Sequence, residues 1–330
     1  MTYKFKPTTL VACLSLLLVF SIILAPTNLM AQKKGIGHFY SVDKSGNMKV
    51  MKENTTWRKN WDIIVPMQLN GDRTTDVLFY DRIKGEGEFY TQQKGTVSLV
   101  KKHKGWRKGW ASIVPVSLNN DNISDLLFYD LKKGQAAFYT VDKGGNMTKV
   151  KEYDKWRKSW TNIIPLHVNN DGITDILFYD SKKGEGAFYT LDAKGNMTKT
   201  KEYKGWRKNW DIIIPVNLNN DKMSDLLFYD SKKGESAFYT VKNSALAKVK
   251  SYTTWRESWK QIIPVQLNGD NVSDLIFYDL KKGESSFYSV DSKGNLSKIK
   301  DYKTWRKSWS LLVPGEFDNI PGTDILFYQR

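Results

Sequence analysis

A pair of tryptophans four residues apart recurs six times along the chain: Trp57/Trp61, Trp106/Trp110, Trp156/Trp160, Trp206/Trp210, Trp255/Trp259 and Trp305/Trp309. The pairs absorb all 12 tryptophans, and successive pairs stand 49, 50, 50, 49 and 50 residues apart. Such a repeat constrains the fold strongly, because a single short unit cannot bury its apolar face without its neighbours. Six of the nine prolines keep the same beat, from Pro66 through Pro115, Pro165, Pro215 and Pro264 to Pro314. No shift in composition interrupts it, so residues 32–330 read as one array.

The third unit shows what the repeat encodes. Residues 160–168 (WTNIIPLHV) form a β-branched apolar run of strand length, the cluster Asn169-Asn170-Asp171-Gly172 marks a turn, and residues 175–179 (DILFY) form the next strand. A Ser-Lys-Lys-Gly turn at 181–184 leads into a third apolar run, and Lys194-Gly195-Asn196 leads into 197–203, whose alternation suits an exposed outer strand. Four short antiparallel strands in about 50 residues is the β-propeller pattern. Proline cannot donate to a ladder, and the channel-facing edge of each innermost strand is where the six prolines fit. The array starts with the last two strands of a unit, near Phe39-Tyr40 and 48–50, and ends with the first two, near 311–314 and 324–328. Neither half completes a blade alone, and an open ring would expose two sheet edges. The expectation is an all-β, six-bladed β-propeller with four antiparallel strands per blade, closed by residues near 36–53 pairing with residues near 309–329.

Residues 1–31 read differently. Lys4 and Lys6 precede an apolar run over 10–25, and the small residues Ala25, Thr27 and Ala31 follow, which is the layout of a cleavable secretory signal. Sixteen apolar residues fall short of the roughly 20 that span a bilayer. Export to the cell surface or beyond is therefore expected, with no stable membrane span after cleavage near Ala31. The single cysteine, Cys13, leaves with that segment, and with only three histidines in the chain no Cys/His zinc site or disulfide framework is available. Fifteen Phe, 17 Tyr and the 12 Trp exclude a disordered chain.

The strand–loop–strand core, as in IIPLHVNNDGITDILFYD of the third unit, resembles FG-GAP/VCBS repeats, the units of propellers like the integrin α-subunit head. The likeness runs over all six copies. It implies that the loop between the first two strands binds calcium through Asp-x-Asn/Asp-x-Asp-Gly-x-x-Asp, and that the protein binds something. Calcium wants six to eight oxygens, and the matching positions are Asn70/Asp72/Asp76, Asn119/Asp121/Asp125, Asn169/Asp171/Asp175, Asn219/Asp221/Asp225 and Asn268/Asp270/Asp274. The leading Asp of that pattern is replaced by Gln68, Ser117, His167, Asn217 and Gln266, the loop glycine survives only as Gly172, and the sixth copy opens with Glu316 and lacks the central Asp. Two carboxylates per loop imply weak calcium binding, and simple Asx-turn closure is the alternative.

The second recurrent motif is Trp-Arg: Trp57-Arg58, Trp106-Arg107, Trp156-Arg157, Trp206-Arg207, Trp255-Arg256 and Trp305-Arg306. It falls between an outer strand and the next inner strand, on the face that carries the Lys-Lys-Gly turns. The second Trp of each pair reads as packing between blades. The first, with its Arg, reads either as a structural lid or as a platform for a sugar ring. The chain carries +16, or +14 without Lys4 and Lys6, so an anionic glycan suits it. The copies are too uniform to mark a catalytic residue. The sequence therefore points to an exported, non-enzymatic, lectin-like module, the alternative being a cell-surface protein-binding or structural scaffold. Nucleic acid is not expected as a partner.

Overall fold

The computed structural model describes residues 34–330; the expected signal over 1–31 lies outside them. Within the described residues the chain forms 24 strands, numbered β1–β24 in chain order, in six four-stranded sheets. Five sheets are consecutive up-and-down units spanning residues 63–103, 112–153, 162–204, 212–252 and 261–302, here blades one to five. Blade six joins the two ends. β1 (Gly35–Val42) and β2 (Met48–Trp57) sit beside β24 (Asp324–Gln329) and β23 (Leu311–Gly315) in the order β2-β1-β24-β23. His38 lies opposite Phe327 and Tyr40 opposite Ile325. The expected propeller and its shared closing blade are both present.

Burial follows strand position. In blade three, β12 (Asp175–Asp180) is buried at every residue because blades cover both of its faces, hence its unbroken DILFYD. The outer β14 (Met197–Lys204) is mostly exposed and keeps a polar alternation. The inner β11 (Asn162–Leu166) pairs only with β12, so Pro165 occupies a strand whose other edge faces the axis. The core lies between blades: Leu177, Tyr179 and Phe188 of blade three pack with Ile213, Leu226 and Phe228 of blade four.

Three sets of hydrogen bonds tie neighbouring blades. Near the axis, the Ser224 N–H donates to the His167 carbonyl at 2.8 Å and the His167 N–H to Ser224 Oγ at 2.9 Å. At mid-blade, the Tyr179 hydroxyl donates to the Arg207 carbonyl at 2.5 Å. At the rim, the Tyr203 hydroxyl donates to the Ser244 carbonyl at 3.0 Å. Blade one has His103 in place of the rim Tyr, and its Nε2 meets the Gly145 carbonyl at 2.8 Å. The antiparallel order puts the Asx loops and the outer hairpin turns on one face of the disc, and the Trp-Arg loops and Lys-Lys-Gly turns on the other.

Candidate functional site

The Trp-Arg loops are packed from within. The rings of Trp57, Trp106, Trp156, Trp206, Trp255 and Trp305 stand edge-on to Phe79, Phe128, Phe178, Phe228, Phe277 and Phe327, with centroids 4.9–5.3 Å apart. Gly186 shows how tight the fit is, since a Cβ there would come within 2.4 Å of the Trp206 ring. The guanidinium groups lie over the second Trp of each pair instead of the first. Arg58 is 4.2 Å from the Trp61 centroid, Arg107 4.4 Å from Trp110, Arg157 4.2 Å from Trp160, Arg207 4.7 Å from Trp210, Arg256 4.4 Å from Trp259 and Arg306 5.3 Å from Trp309. Five of them also meet a carboxylate at the end of the second strand: Asp81, Asp130, Asp180, Asp230 and Asp279. Gln329 takes that place in blade six, and Arg306 makes no ion pair among the described residues. Each first Trp is thus half-buried against the inter-blade core and five of the six guanidinium groups are ion-paired, the arrangement of a structural lid over the blade seam.

The Asx loops bring their expected residues together in a different way from a cation cage. Asp76, Asp125, Asp175, Asp225 and Asp274 turn inward and are fully buried. In each, one carboxylate oxygen accepts a backbone N–H from its own loop and the other accepts one from the third strand, as Asp175 does from Val168 at 2.9 Å and Leu191 at 3.3 Å. Burial pushes their pKa values up, to about 7 for Asp76 and about 6 for the other four. The outer donors pair with each other: Asn70 with Asp72, Asn119 with Asp121, Asn169 with Asp171, Asn219 with Asp221 and Asn268 with Asp270, at 2.8–3.0 Å. Asp171 Oδ1 also accepts the Ile173 N–H at 2.8 Å. As folded, these donors close Asx turns and clasp the backbone, and calcium would have to displace those bonds.

The position just before each of these loops is different in kind. Gln68, Ser117, His167, Asn217, Gln266 and Glu316 each follow an inner strand, so they form a ring around the axial mouth on the Asx face. Each is locked by its own backbone to a Ser or Thr of the next blade, Glu316 to Thr75 closing the circle at 2.9 Å. The side chains carry the variation. Oε1 of Gln68 and of Gln266 is buried with no hydrogen-bond partner, a state that calls for a ligand or water. His167 donates Nδ1–H to the Ile173 carbonyl at 3.0 Å, which fixes the tautomer with the lone pair on Nε2, and burial holds its pKa below 6.5. Glu316, three blades away and so across the mouth, has its carboxyl pushed up by burial, against the pull of Arg73. The signal was present in the sequence as a column in which the repeats carry Gln, Ser, His, Asn, Gln and Glu.

No family model matches the chain, and no curated protein matches it. Solved structures do. The periplasmic gluconolactonase PpgL of Pseudomonas aeruginosa superposes with a TM-score of 0.53 at 12% identity, covering 84% of this chain and 79% of its own. A Bacteroides fragilis protein provisionally named a 6-phosphogluconolactonase gives 0.52 at 13%, covering 86% and 98%. A Lactobacillus plantarum protein gives 0.52 at 12%, covering 91% and 86%. These similarities show the propeller fold. They also correct the expectation of a non-enzymatic lectin-like module or scaffold, since structures sharing this architecture include a lactonase. Regular blades therefore do not exclude catalysis.

Proposed function

We propose that the chain hydrolyses sugar lactones at the axial mouth, outside the cytoplasm. The observation that carries the reading is the mouth ring, where His167 and Glu316 stand alone as titratable groups among amides and a hydroxyl. The lactonases among the similar structures supply the substrate class, and the periplasmic one, with the N-terminal apolar run, supports the location.

Opening a lactone requires a base for water, donors for the carbonyl oxygen as it becomes an oxyanion, and an acid for the departing ring oxygen. Neutral His167 presents Nε2, which makes no hydrogen bond among the described residues, as the base. The water oxygen bonds to the carbonyl carbon while its proton passes to Nε2. Amide N–H groups of Gln68 and Gln266 and the Ser117 hydroxyl are the donors at the mouth. As the ring C–O bond breaks, the leaving oxygen takes a proton from the Glu316 carboxyl, which burial shifts upward, and the proton held by His167 passes through solvent to the Glu316 carboxylate, restoring both groups. The product is a hydroxy acid.

The test is opening of glucono-δ-lactone and its 6-phosphate by purified protein, followed by acid release against the spontaneous rate. His167→Ala and Glu316→Gln are each expected to lose about 100-fold or more while melting as the wild type does. A wild-type protein that accelerates neither lactone overturns the reading.

A further inference from the structure

The charge of this molecule is divided unequally between its two faces. On the Trp-Arg face the arginines are largely consumed by buried carboxylates, but the turns beside them are not neutralised. Lys132-Lys133, Lys182-Lys183, Lys232-Lys233 and Lys281-Lys282 are all exposed, as are Arg82 and Lys84 in blade one. None of these lysines makes an ion pair among the described residues. On the Asx face the outer hairpin lysines Lys44, Lys143, Lys194 and Lys293 sit in turns opened by Asp or beside one, and each of the first five Asx loops adds another Asp. Apart from the lysines of the outer strands at the rim, positive charge is therefore concentrated on the Trp-Arg face of the disc rather than the Asx face.

The geometry of that side is planar. Five turns of equal length leave five sheets at the same place, each with a glycine at positive φ (Gly85, Gly134, Gly184, Gly234, Gly283), so their cations lie in one layer. In blade one the turn puts Ile83, 71% exposed, where the others have Lys, between Arg82 and Lys84. No aromatic ring is among the exposed large apolar side chains, which are Val50, Ile83, Leu99 and Ile320. A single-stranded nucleic acid would want a groove with stacking rings; a flat layer of lysines with one protruding aliphatic side chain matches a plane of negative charge.

We propose that this face docks the protein on an anionic lipid bilayer. Each cation at such a surface is worth about fivefold in partitioning, and the attraction fades within a Debye length. The contact is made by turn side chains at the membrane surface, and the opposite mouth stays open to solvent. The inference does not depend on the lactonase reading.

The experiment is co-sedimentation of the mature protein with vesicles of phosphatidylcholine alone or with about 30% phosphatidylglycerol. Wild type is expected to pellet only with the anionic vesicles and to be released as salt rises from about 0.05 to about 0.5 M. The fourfold variant Lys132→Glu, Lys182→Glu, Lys232→Glu, Lys281→Glu should lose binding by about 100-fold or more, and the double variant at Lys182 and Lys232 should lose part of it. The variant Lys44→Glu, Lys143→Glu, Lys194→Glu, Lys293→Glu changes net charge equally on the other face and should still pellet. Failure of the wild type to pellet, equal loss in both fourfold variants, or preference for a duplex oligonucleotide over the vesicles overturns the proposal.

Discussion

The Tyr328 hydroxyl donates to the Arg58 carbonyl at 2.6 Å, across 270 residues of sequence. It is the same mid-blade bond that Tyr179 makes to Arg207, but here it joins the last strand of the chain to the loop that opens blade one. Tyr328→Phe should cost about 1–2 kcal/mol, the net value of a buried hydrogen bond with an acceptor left unmet. Removing residues 309–330 takes away β23, β24 and every bond that closes the ring. Calorimetry should then show a broad, non-cooperative transition, and a truncated chain as sharp as the full one would contradict closure by blade six.

Trp156 is half-buried at the inter-blade seam, packed on Phe178 at 4.9 Å and Tyr129 at 5.6 Å. Trp156→Ala is expected to destabilise by about 2–3 kcal/mol, below the range for fully buried aromatics because the ring is half-buried. Lys158→Ala, on the exposed part of the same loop, should change stability by less than about 0.5 kcal/mol. Denaturant melts of the two variants decide the matter, and a Trp156→Ala protein as stable as wild type would favour the surface-platform reading.

The buried Asp at the end of each Asx loop sets a pH dependence. Burial raises these groups to about 6 or 7, Asp324 of blade six included at about 7, against an unfolded value of about 3.9. Between those limits the folded state binds more protons than the unfolded one. Their contribution to stability is therefore full below about pH 4 and is lost as pH rises through 6–7. Melting temperature should climb when the buffer is taken from pH 8 to pH 5. A flat profile would mean that the paired backbone N–H donors outweigh burial.

Asp171 holds its loop by accepting the Ile173 N–H and pairing with Asn169. Asp171→Ala should lower stability by about 1 kcal/mol, equally with chelator and with about 5 mM calcium. A gap between wild type and variant that opens only in calcium would show that this loop takes the ion, the expectation that its Asn-x-Asp-Gly spacing raised.

What the sequence determined by itself is the architecture. A 49–50-residue beat, prolines in the inner strands and two half-units at the ends leave a closed six-bladed ring as the arrangement that pairs every strand, because unpaired edges are costly and local periodicity encodes strands directly. Side-chain roles were legible only where a residue's partner is close in sequence, as in the Asx turns. The fate of Trp57 and Arg58 was decided chiefly by residues just over 20 positions on, in the blade that follows: Phe79 receives the ring and Asp81 the guanidinium, which also lies over the nearby Trp61. The mouth ring is an extreme case. Gln68 and Glu316 are 248 residues apart, and only closure around an axis makes neighbours of positions that, read one repeat at a time, look like lapses in a loop motif.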